Sequence, residues 1–150
     1  MTQENKQLLL KDLCARLPYG VTMNVTEPGE DNVNFNCFLG PDIIKEISSE
    51  TGHFKYIPYL RPMLSMTEEE AKEIAILHDI KDILSVKVTS DYIDVIVDDG
   101  VCSTETRTIW YNEIVSSIKC FDWLNAHHFD YRGLIEKGLA LEAPEGLYLK

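Results

Sequence analysis

Apolar residues never run far in this 150-residue chain: Leu8-Leu9-Leu10 is typical of its longer stretches. A membrane-spanning helix needs roughly 20 in a row, so none is expected. The first residues, Met1 to Lys6, lack a basic region followed by an apolar core, so no secretion signal is expected and the assignment is cytoplasmic. Four cysteines (Cys14, Cys37, Cys102, Cys120) stand far apart with no CxxC among them. That argues against a disulfide framework and against zinc, and leaves reduced thiols buried as small hydrophobes. Also missing are GxSxG, the phosphate loop GxxxxGK followed by Ser or Thr, GxGxxG and HExxH. No cofactor and no metal are expected.

What is present is a core's worth of apolar residues, 45% of the chain, at a length usual for one domain. Acids outnumber bases, 25 to 14, for a net charge of −11. The excess is local. Residues 68–99 carry ten acids against Lys72, Lys81 and Lys87, whereas residues 101–150 hold seven acids against five bases. A surface of this sign repels phosphate backbones, and no basic patch is visible, so direct nucleic-acid binding is not expected.

Periodicity predicts an amphipathic helix over 3–17, with Leu9, Leu10, Leu13, Cys14 and Leu17 inward and Lys6, Lys11, Asp12 and Arg16 wet, ended by Pro18. Alternation at Val21, Met23, Val25 and again at Val33, Phe35, Cys37, Leu39 predicts two strands around a break at 27–32. Residues 42–47 fit either a strand or one helical turn, and 48–53 read as a polar turn. Pro58 and Pro62 make residues 54–62 an extended segment at a sheet edge or over the core. Thr67 with Glu70 forms a capping box for a helix to about Asp79, burying Ala71, Ile74, Leu77 and His78. Val86 to Val88 and Tyr92 to Val97 read as strands. Asp98-Asp99-Gly100 predicts a tight hairpin turn returning along Val101 to Trp110. A helix over 112–127 with the stripe Ile114, Ile118, Phe121, Leu124 follows. Asp130 then caps a short helix through Lys137 that Gly138 stops, and Leu141, Leu147, Tyr148 and Leu149 pack the tail back. The expected fold is a single α+β domain: a small, mainly antiparallel sheet with an N-terminal, a central and C-terminal helices on one face or at its ends.

Three clusters carry chemistry. Tyr56, Tyr59 and Arg61 are residue types that dominate binding hot spots. Glu68, Glu69, Asp94, Asp98 and Asp99 belong to the acidic stretch, and no calcium-loop spacing joins them. His127, His128, Asp130 and Arg132 are the densest polar cluster. Adjacent helical residues point about 100° apart, so the two imidazoles do not share an ion, and one packs while the other meets a helix end.

The strings Lys11 to Val21, Tyr59 to Met63 and Asp122 to Ile135 together resemble a group of uncharacterised short proteins encoded in phages and mobile elements of gut anaerobic bacteria. The resemblance covers most of the chain. It implies a bacterial or phage cytoplasmic setting and an accessory role, and brings no catalytic residues. Two readings follow. One is a non-enzymatic protein that binds a host or phage protein, possible targets including a host nucleic-acid enzyme inhibited by carboxylates in place of phosphates. It predicts acids on a flat or convex face and no pocket with convergent polar groups. The other is a small hydrolase or ligand-binding domain, which predicts that His127 or His128, Asp130 and Arg132 line a cleft together.

Overall fold

The computed structural model describes residues 1–29, 33–49 and 52–148. The fold is α+β, with its strands in two sheets. Its residues group into two compact units, one made of Met1–Arg61 with Asn125–Lys150 and the other of Pro62–Leu124. Parts of the 27–32 break and of the 48–53 turn, and Leu149 of the tail, lie outside the described residues.

The first unit begins with helix α1 (Gln3–Arg16), where the Thr2 hydroxyl accepts the Asn5 amide. Strands β1 (Thr22–Thr26) and β2 (Asn34–Phe38) pair antiparallel, and helix α2 (Pro41–Ser49) follows. The ambiguous residues 42–47 are thus helical. Pro41 supplies a ready-made first-turn φ, and Ile43, Ile44 and Ile47 lie on one face, against the core. That core joins Leu9 and Leu13 of α1 to Val21, Met23, Val25, Leu60, Leu134 and Leu139.

Strand β3 (Lys55–Leu60) is not an edge: the order is β2-β1-β3-β7, with β7 (Leu141–Glu142) parallel to β3. The register explains how a proline fits there. Leu39 N donates to Val21 O and Glu27 N to Val33 O, so odd-numbered residues of β1 bond to β2 and even-numbered ones face β3. Pro58 sits opposite Met23, so its missing donor points away from β1. On that other side β7 pairs only at Tyr59 and Leu60, and no ladder bond is lost. The ladder between β1 and β3 continues through a side chain: Thr22 N donates to the Tyr148 hydroxyl (2.9 Å), which donates to Tyr59 O (2.9 Å).

Helix α1 contradicts its expected wet face. Asp12 and Arg16 are fully buried, Lys6 nearly so, while Cys14 is exposed. The reason is mutual satisfaction. Arg16 Nε donates to Asp12 Oδ2 (2.6 Å), and Arg16 Nη2 to Asp12 Oδ1 (3.1 Å) and to Phe129 O (2.7 Å). Arg132 Nε donates to the same Asp12 Oδ1 (3.1 Å). One carboxylate therefore holds two guanidiniums, and ties α1 to a segment more than a hundred residues on.

In the second unit, helix α3 (Glu68–Leu77) has the capping box expected of it: Glu70 N donates to the Thr67 hydroxyl and Thr67 N to the Glu70 carboxylate. It ends before Asp79, which takes a left-handed φ of 60°, and it buries Ala71, Ile74 and Ala75, leaving Leu77 and His78 half-buried. Strands β4 (Ile83–Val88), β5 (Tyr92–Asp98) and β6 (Thr104–Trp110) form an antiparallel meander whose Ile93, Val95 and Val97 are buried.

Two expectations here are corrected. The hairpin connection is a five-residue loop, not a tight turn, and the return strand begins at Thr104 rather than Val101. Asp side chains hold that loop: Asp98 Oδ1 accepts Gly100 N, and Asp99 Oδ1 accepts Val101 N and Ser103 N. The helix over 112–127 is two helices, α4 (Tyr111–Ser116) and α5 (Ile118–Ala126), parted by extended backbone at Ser117. The break resets the helical phase, so Ile118 is 81% exposed while Ile114, Cys120 and Leu124 are buried. Of the thiols expected to be buried, only Cys120 is; Cys37 is half-buried and Cys102 lies exposed in the hairpin loop.

Back in the first unit, Asp130 caps as expected, its two oxygens accepting Leu134 N and Ile135 N (both 2.8 Å), but no regular helix follows. Gly133 has a left-handed φ of 66°, which turns the chain before a helix can propagate.

Replacing Asp12 by Ala strands two guanidiniums and is expected to cost about 3–5 kcal/mol in urea unfolding, more than Asp12→Ala combined with Arg16→Met. Tyr148→Phe, which removes the bridging hydroxyl and leaves Thr22 N and Tyr59 O unpaired, is expected to cost about 1–3 kcal/mol in the same measurement.

Candidate functional site

The aromatic segment does not form one surface. Tyr56 pairs with Val25 and turns toward the core, where its hydroxyl donates to Glu46 Oε2 (2.7 Å). Tyr59 points to the opposite face, its hydroxyl accepting Asn24 Nδ2 at 3.3 Å. Arg61 is buried, its guanidinium 4.2 Å from the centre of the Phe129 ring, and its backbone exchanges bonds with the 127–132 stretch: Arg61 N donates to His128 O (2.8 Å) and Asp130 N to Arg61 O (2.7 Å). Three residues within six positions thus have three different jobs.

The polar cluster at 127–132 is similarly engaged. Asp130 is a backbone cap and Arg132 serves Asp12, with Tyr131 between two cations: Arg16 lies 5.1 Å and Arg132 4.9 Å from its ring centre. The Tyr131 hydroxyl donates to Asn125 Oδ1. His128 takes a left-handed φ of 62°, is buried, and stacks on Tyr148 with ring centres 3.9 Å apart. Burial, then the positive charge of Arg16, His127 and Arg61, pushes the His128 imidazole down to about 4. Among the described residues, no three His, Cys, Asp or Glu side chains cluster in a way that could hold a metal ion.

A concavity with several polar groups does exist in this unit, which the binding reading did not expect, but it lies elsewhere. It measures about 630 Å³ and is lined by residues that include Lys6, Glu46, Tyr56 and Leu139, and by none of His127, His128, Asp130 or Arg132. The hydrolase reading therefore gains no support from geometry: Asp130 and Arg132 are committed to the fold, and the four residues do not line this concavity.

The five acids of the sequence reading all fall in the second unit. Glu68 and Glu69 are exposed in the first turn of α3, where Glu68 pairs with Lys72 at 3.0 Å. Asp98 and Asp99 are exposed at the hairpin, and the bonds from Ser103 and Val101 hold the Asp99 carboxyl below its ordinary range. Asp94 accepts the Thr108 hydroxyl (2.7 Å) on one sheet face, near the aromatic pair Tyr92–Trp110 whose ring centres are 5.0 Å apart. That exposed Trp110 was not singled out in the sequence; it shares the parity of Thr104, Thr106 and Thr108, opposite to that of the buried Ile109. Thirteen acids and five bases lie in this unit, so it carries eight of the eleven net negative charges.

No family model, curated protein or solved structure matches this chain. Among the described residues, no helix is long and apolar enough to cross a membrane.

The buried neutral His128 sets a pH dependence. Its folded value lies below the unfolded 6.5, so its contribution is complete above that pH and is lost as pH falls toward 4. Urea unfolding between pH 6.5 and 5 is expected to lose about 2 kcal/mol in the wild type and to run flatter in His128→Gln.

Proposed function

We propose that this chain is a non-enzymatic accessory protein of a phage or mobile element that binds a basic surface on another protein through its second unit. The observation that carries the reading is the concentration of net charge in Pro62–Leu124, which holds eight of the eleven net negative charges. Glu68, Glu69, Asp98 and Asp99 are exposed there, and an array of carboxylates steers a cationic partner from a distance. Within that reading, the partner is a host nucleic-acid enzyme whose phosphate-binding groove the carboxylates occupy. The phage or mobile-element setting rests on the resemblance of residues 11–21, 59–63 and 122–135.

A charge-driven complex weakens as salt rises, because screening shortens the reach of each charge to roughly 3 Å at 1 M. Captured from a gut-anaerobe lysate on the immobilised protein, a specific partner is expected to elute with salt. It should also bind Glu68→Gln/Glu69→Gln about tenfold more weakly, with that variant's thermal unfolding checked in parallel. Retention that ignores both salt and the substitutions would exclude the reading.

A further inference from the structure

The concavity in the first unit was not anticipated, and its walls have a definite chemistry. Leu9, Ile47, Ile57 and Leu139 contribute apolar surface, while Lys6, Lys55 and Lys137 stand against Glu46 as the ionisable side chains of the wall. In a chain of net charge −11, this is a locally cationic hollow. Its volume of about 630 Å³ lies inside the range of small-molecule sites.

Among the described residues of the wall Glu46 is the one acid, and it leaves three lysines against one carboxylate. Glu46 accepts the Tyr56 hydroxyl at 2.7 Å. Burial first, then Glu46, pushes the Tyr56 phenol up to about 12, so it stays protonated and keeps donating. Gly52 passes close to Glu46: a Cβ there would fall 2.7 Å from both its Cγ and Oε1, so a larger residue requires the Glu46 side chain to shift. Lys6 is the reverse case. It is only 8% exposed, carried on the core face of α1 three residues before Leu9, with its ammonium donating to Ser48 O at 3.0 Å. A lysine stem buried in an apolar wall with its charge fixed at one end matches an amphipathic guest of opposite charge.

We propose that this cavity binds a small amphipathic organic anion, its apolar body against Leu9, Ile47, Ile57 and Leu139 and its acid group taken by the lysines. The site is independent of the acidic unit's partner and stands or falls by itself.

The test uses the full chain and two dyes of the same skeleton, anilinonaphthalene sulfonate and the neutral phenylnaphthylamine, followed by fluorescence titration and amide-resolved NMR. The sulfonate is expected to bind saturably at one site, shifting the amides of Leu9, Ile47, Tyr56 and Leu139. Lys55→Glu/Lys137→Glu changes two exposed side chains, so the fold is expected to persist by circular dichroism. In it the sulfonate should bind about tenfold more weakly while the neutral dye changes less than about twofold. Three results would overturn the proposal: the neutral dye binding the wild type as tightly as the sulfonate, shifts that map away from the cavity, or no saturable sulfonate binding up to about 1 mM.

Discussion

Asp12 is the residue on which the first unit depends. Its two oxygens take three bonds from two guanidiniums, and the Arg16 side chain passes on to the carbonyl of Phe129. Burying these charges costs more than their attraction returns unless the geometry satisfies them together, so the arrangement works as a specification device as much as an adhesive. It fixes where the 127–132 stretch lies against α1, and from there the neighbouring contacts follow: Arg61 beside Phe129, His128 on Tyr148, and the Tyr148 hydroxyl in the ladder between β1 and β3.

Much of the second unit's negative charge is put to local use. Glu70 closes the capping box, Glu73 accepts the Trp123 indole N–H, Glu113 accepts the Trp110 amide, and Asp99 organises the hairpin loop. Of these, Glu70, Glu113 and Asp99 stabilise helix starts and a turn, Glu73 anchors an indole, and their negative field reaches outward all the same. Structural and functional readings of this acidity are therefore compatible, residue by residue.

The sequence made some of this visible and hid the rest for physical reasons. Thr67 and Glu70 are neighbours in the chain, so their reciprocal bonds could be read directly, as could the Asp130 cap. Alternation found β1 and β5, because a buried sheet face leaves a period of two; it also found β2, although Val33 and Phe35, expected inward, are exposed. The burial of Asp12 and Arg16 was not legible, since two charges four apart look like an exposed helical pair unless the distant Arg132 and Phe129 are known to meet them. Ser117 gave no warning that one helix would become two, and Pro58 looked like an edge residue because only the register shows that its missing donor faces no neighbour. The cavity draws on α1, α2, β3 and residues 137–139, a convergence that no local pattern contains.

The discontinuity of the first unit has a temporal meaning. Its sheet lacks β7, its buried Asp12 lacks Arg132, and its ladder lacks the Tyr148 rung until the final quarter of the chain has been made. Residues 62–124, by contrast, emerge from the ribosome as one uninterrupted stretch with α3 and all of the meander in hand. During synthesis the middle segment is complete first, while the N-terminal 61 residues wait for residues 125–150 with Asp12 and Arg16 still hydrated. The unit that contains the N-terminus is thus the one whose synthesis is completed last.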